Sequence, residues 1–144
     1  MLENIIALAA FIPVILGMGG NIATQSSTII VRGMATGRVN EGGEIKLILK
    51  EVQVGIMLGI LYGILLGTFA RFTFSEAPVN LGFVVGLSIC VSMIVAATVG
   101  TIIPLILRKL DIDPAIATGP FVTTSIDILG VLFYFMIAGY FLSI

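Results

Sequence analysis

Four long stretches of this chain carry almost no charge, and that pattern restricts it to very few folds. Between Asn4 and Val31, Val52 and Ala70, Ala77 and Leu107, and Ala115 and Leu142, the single charged side chain is Asp127. About 20 apolar residues cross the hydrocarbon core of a bilayer. Inside that core every backbone N–H and C=O must be satisfied within the protein, so helices are the solution open to such segments. The expected architecture is therefore an all-α, polytopic transmembrane bundle of four helices, at about 4–31, 52–70, 77–107 and 115–142, forming one membrane domain over 1–144. Charged residues make up 10% of the chain, against roughly 25% in soluble domains, which agrees with a lipid environment.

Other classes drop out on the same grounds. The net charge of -1 leaves no basic patch for nucleic acid. With one cysteine, Cys90, and no histidine, a disulfide framework within the chain and a multi-Cys metal site are both ruled out. Without a nucleophile-and-base constellation the chain does not read as an enzyme. Cys90 reads as a small apolar residue. The first span lacks a basic leader and a small-residue cleavage site, so it does not read as a signal peptide.

Arg32, Arg38, Lys46 and Lys50 sit in the first connection and Arg108 and Lys109 in the third, whereas the second has Arg71 alone. The positive-inside rule puts the first and third connections in the cytoplasm and both termini outside. The setting is a multi-pass protein of a bacterial or archaeal plasma membrane. An outside N-terminus without a basic anchor leads us to expect an upstream helix. Glu44–Glu51 is expected to form a short amphipathic entry to the second span along the membrane surface.

Asp127 is the costly residue. A carboxylate near the bilayer centre costs at least about 2.5–3.5 kcal/mol on insertion scales, so it faces a partner, a water-filled cavity or an ion. The polar run from Gly17 to Thr28 is its natural companion. It resembles a dinucleotide fingerprint only superficially, because Ile22 stands where the third glycine belongs and no strand precedes it. Its glycines, after Pro13, can open a membrane helix and expose carbonyls. Asn21, Thr24, Gln25, Ser26, Ser27 and Thr28 can serve as polar glue between helices or as a water-lined path, and the path is favoured. At 1.5 Å per residue Asn21 lies about 16 Å from Arg32, and Asp127 roughly 21 Å from Asp113. Both fall near mid-membrane, and carboxylate, amide and hydroxyl oxygens suit a hard cation.

Gly55, Gly59, Gly63 and Gly67 form one stripe, and Gly82 and Gly86 repeat the spacing in the next span. Small residues let membrane helices approach closely. The stripe can serve a dimer or a pore wall, but packing within one bundle is favoured. Glu41, Glu44, Glu51, Asp111 and Asp113 read first as solvated helix ends and caps. Phe133, Tyr134, Phe135, Tyr140 and Phe141 read as lipid-facing and interfacial surface.

The run Pro13-x-x-x-Gly17-x-Gly19-Gly20-Asn21-x-x-x-Gln25-Ser26, continuing to Val31-Arg32-Gly33, resembles the membrane domain of the MgtE-type magnesium transporters. Lys50-Glu51-x-x-x-Gly55 resembles the start of that domain's next helix. Asp113-Pro114-Ala115 with Gly119-Pro120-x-x-x-Thr124-x-x-Asp127-x-x-Gly130 resembles its last. Members have five membrane helices, and these four match the second to the fifth. The resemblance implies a homodimeric, Mg²⁺-selective, channel-like transporter whose pore is lined by the first and last spans. Asp127 would be the central ion-binding carboxylate, with Gly17, Asn21, Gly119 and Thr123 lining the pore. Gly119 stands where some members carry Asn, which removes a side-chain oxygen at the cytoplasmic side. A cytoplasmic Mg²⁺ sensor domain, docking near the acidic cluster, is implied as well. Two alternatives remain: a secondary transporter coupled to protons or Na⁺, and a non-transporting assembly subunit.

Overall fold

The structure, a computed structural model, describes residues 2–39, 43–75 and 77–142. Glu41 and Gly42 of the first connection lie outside them. Helix α1 spans Leu2–Ala35, α2 Glu44–Thr73, α3 Leu81–Lys109 and α4 Pro120–Leu142, with a short 3₁₀ turn, Pro114–Thr118, before the last. The described residues thus hold four helices long and apolar enough to cross a membrane.

Two boundaries differ from the sequence expectation in informative ways. Glu44–Glu51 is the first two turns of α2 itself, not a separate surface helix. Glu44 accepts a 3.0 Å ion pair from Lys109 at the end of α3, and that anchor lets the helix continue to the membrane face. The expected last helix, 115–142, is divided. Asp113 accepts a 2.9 Å hydrogen bond from the Ala115 N–H and caps the 3₁₀ turn, which ends at Gly119. Pro120 then opens α4, at the first helical position, where its missing N–H costs nothing.

Polar contacts fix which ends lie together. The Arg108 guanidinium donates to the Val39 carbonyl at 3.2 Å, so the first and third connections share one side. The Asn80 amide donates to the Phe141 carbonyl at 2.7 Å, joining the second connection to the end of α4 on the other.

Helix α3 is the hub. It packs along α1, α2 and α4, whereas α2 rests mainly on α3. The α2–α3 seam is built from glycine. A Cβ on Gly63 would lie 2.7 Å from the Gly86 carbonyl oxygen, and one on Gly67 2.6 Å from that of Gly82. The glycine stripe is therefore intramolecular packing. Cys90 sits in the same seam, against Gly59. Across the bundle, Gly100 of α3 meets the Ala23 backbone of α1 so closely that any Cβ would collide.

Helix α4 buries Val122, Ile126, Gly130, Tyr134 and Ala138, one residue per turn. Tyr134 departs from the lipid-facing expectation. It is buried, and its hydroxyl donates a 2.8 Å hydrogen bond to the Leu8 carbonyl of α1. A phenol placed in lipid would find no such acceptor. Tyr140 and Phe135 do face outward.

Candidate functional site

The antiparallel contact of α1 with α4 positions the polar residues. Along it, Ile15 and Leu16 face Gly130, Gly19 faces Ile126, and Gly20 faces Thr123 across 3.8 Å of Cβ-to-methyl space. This register sets Asp127 level with Gly17 and Asn21 level with Thr123. Continued towards the cytoplasmic end, it sets Gly119 level with Thr24.

Helical periodicity then sorts the polar run of α1 into two groups. Gly17, Asn21, Gln25 and Thr28 lie on the exposed side, and Ser26 and Ser27 are buried. Ser26 departs from the expectation that it lines the path. Its hydroxyl turns inward and donates 2.7 Å to Glu51 of α2. Helical glue and an open polar face are thus both present, on opposite sides of one helix.

Asp127 is half-buried on α4, at the edge of the packed face. The side chains of Asn21, Gln25 and Asp127 make no hydrogen bond or ion pair among the described residues, so their oxygens are uncommitted. Thr123 donates its hydroxyl to the Pro120 carbonyl at 3.1 Å, which leaves the oxygen lone pairs able to accept. A Cβ placed on Gly17 or on Gly119 would meet nothing within 4 Å. Both positions therefore border open space rather than a neighbouring helix. Among the described residues no three His, Cys, Asp or Glu side chains gather to hold a metal.

The division of the last helix bears on the site. The 3₁₀ turn rises about 10 Å at 2.0 Å per residue, and the first two turns of α4 add about 10 Å more to Asp127. The stretch below Asp127, expected as one helix, is thus a 3₁₀ turn, the Gly119 break and the start of α4. Non-helical backbone at membrane depth is tolerated only where it is buried in protein or lines water. Gly119, half-buried and with open space where a side chain would stand, marks that non-helical point.

Sequence reasoning missed three contacts that shape this face. Gly20 lets α4 approach at Thr123, Glu51 holds Ser26, and the buried Ser92 hydroxyl lies 3.1 Å from where a Gly19 Cβ would be. Ser88 and Ser92, one turn apart on α3, are both buried without a hydrogen-bond partner among the described residues. The Gly19-Gly20 pair and the i, i+4 serines were the available signals.

The fold and this face define an integral membrane protein whose described residues hold four membrane-length helices, with oxygen-bearing side chains on the exposed α1–α4 edge. Comparison with known proteins gives the particular kind. The family model for MgtE, described as divalent cation transporter, matches residues 12–137. The magnesium transporter MgtE of Bacillus subtilis is 40% identical over 137 residues, which cover 95% of this chain and 30% of the relative. That of Thermus thermophilus is 37% identical over 138 residues, covering 96% and 30%. That of Enterococcus faecalis is 38% identical over 135 residues, covering 94% and 29%. The chain belongs to the MgtE family. It spans about 30% of the length of these curated relatives.

Proposed function

We propose that this chain is the ion-conducting membrane core of a Mg²⁺ transporter. Two copies set their α1–α4 faces against each other, and Asp127 from each stands at the centre of a water-filled pore. One observation carries the reading: Asp127, the charged residue of α4, shares an open edge with Gly17, Asn21, Thr123 and Gly119. Its exposure is costly in lipid alone and is relieved by water and a cation. The relatives named as magnesium transporters support Mg²⁺ as the ion transported.

Mg²⁺ dehydrates reluctantly and prefers six oxygens at about 2.0–2.1 Å. Two carboxylates cannot replace its water shell. The ion therefore passes largely hydrated, held through its waters by Asp127 and by the amide and hydroxyl oxygens of Asn21 and Thr123. Weak binding at several levels lets it leave again, as conduction requires. Gly17 and Gly119, without side chains, keep the path wide enough for a hydrated ion. Both termini lie outside the cell in this reading, and the relevant assembly is a homodimer in a plasma membrane. An upstream helix and a cytoplasmic sensor domain complete it.

The test is Mg²⁺ entry into proteoliposomes holding a fluorescent indicator, wild type beside Asp127→Asn. Entry that follows the Mg²⁺ gradient, needs no proton or Na⁺ gradient and is lost in the variant is the expected result. Entry that requires a proton or Na⁺ gradient would make the protein a coupled transporter. Normal entry in a folded Asp127→Asn protein would remove Asp127 from the pathway.

A further inference from the structure

The α2–α3 seam carries a second feature. Glycines at a seam leave a depression between the side chains that flank it. Here a groove of about 490 Å³ runs from Gly59 and Cys90 to Arg71, with Gly63 and Gly86 in its floor and Ile64 and Phe83 on its walls. Its lining is apolar for most of its length and ends in Thr68 and the exposed Arg71.

We propose that this groove holds one acyl chain of a membrane phospholipid whose phosphate is paired with Arg71. Three observations favour that occupant. From Gly59 to Arg71 the groove is about 18 Å long at 1.5 Å per residue. That is close to half of the roughly 30 Å hydrocarbon core, the depth filled by one leaflet's chains. Arg71 stands in the last turn of α2, beside the second connection, at the level of the headgroups. Its guanidinium has no ion pair or hydrogen bond among the described residues and offers the fork geometry that takes two phosphate oxygens at once. A helix about 10 Å across and 18 Å long fills roughly 1,400 Å³, so a protein segment could lie over this groove but not enter it as one acyl chain can.

Native mass spectrometry of the protein released from bilayers of phosphatidylglycerol and phosphatidylethanolamine tests the proposal. One phospholipid retained per protomer is expected. Arg71→Gln should lower its retention about tenfold, the loss of one charge-assisted contact. Thr68→Trp, an exposed change that fills the groove, should lower it without disturbing the seam. Lys46→Gln, on the opposite side, should not. A phospholipid with a photoreactive acyl tail should label peptides containing Ile64 and Phe83. Equal retention in all four proteins would overturn the proposal. So would label spread evenly over the outer faces of α2 and α3, or a crosslink to a second copy within the groove. Mg²⁺ entry is read separately, so failure here leaves the ion path untouched.

Discussion

Two helix seams in this bundle use glycine for opposite purposes. Between α2 and α3 the glycines are load points of contact: Gly59, Gly63 and Gly67 bring backbone against backbone, with no room for a Cβ. At the open α1–α4 edge Gly17 and Gly119 have nothing within 4 Å of where a Cβ would stand. The first set removes side chains so that helices can touch, as membrane helices without a hydrophobic drive require. The second leaves open space along the edge where the proposed ion path runs. One residue type thus closes one seam and leaves the other open according to what faces it, and Asn21 and Gln25 lie exposed on the open side.

The sharpest way to break this contrast is at Asp127. Asp127→Asn keeps size and hydrogen bonding but loses the charge from both copies. At about 1.5–3 kcal/mol per charged contact, Mg²⁺ flux should fall at least a hundredfold or so. Thermal unfolding in detergent should stay close to wild type, because the side chain makes no hydrogen bond or ion pair among the described residues. A large drop in melting temperature would turn Asp127 into a structural residue and dissolve the distinction between the two seams.

The same substitution made in both seams sharpens it. Gly63→Ala puts a methyl 2.7 Å from the Gly86 carbonyl oxygen, and overpacking of this kind costs about 1–3 kcal/mol. Gly17→Ala meets open space and should instead raise stability by about 0.5–1 kcal/mol, the usual gain for replacing glycine within a helix. The second variant should lower flux, because the methyl narrows the path beside Asp127. Detergent unfolding and liposome flux, measured on both variants, should therefore move in a crossed pattern. Parallel losses of stability would show that α1 is packed at Gly17 in the assembled protein.

Much of this was legible in the residues. Four spans and the paired connections follow from where charge is absent, since lipid punishes misplaced charge more heavily than water does. The glycine stripe was visible as a period of four. Helix ends were less so: Glu44–Glu51 joins α2 because Lys109 pairs with Glu44, a contact between residues 65 positions apart in sequence. Pro120 could be read as a break, but not that a 3₁₀ turn would fill the space below it. The polar run of α1 could be read as oxygen-rich. Which oxygens face outward depends on rotation about the helix, and that is set by Gly100 against Ala23 and by Ser26 on Glu51.

Tyr134 is the smallest test and probes the side of α1 away from both glycine sets. Its hydroxyl donates to the Leu8 carbonyl, one turn before Pro13. Proline brings no N–H to the ladder of α1, so the carbonyl of Ala9 loses its usual donor and the helix is weakest around this point. A side-chain bond to the neighbouring carbonyl steadies it. Hydrogen bonds between membrane helices average about 0.6 kcal/mol, because alternative partners exist in the unfolded state. Tyr134→Phe retains the ring in its buried place and should cost about that much in detergent unfolding, with Mg²⁺ flux unchanged. A loss of several kcal/mol would mean that this bond, rather than the Gly100–Ala23 contact, sets the rotation of α1. In that event flux should fall with it, as Asn21 and Gln25 turn away from the open edge.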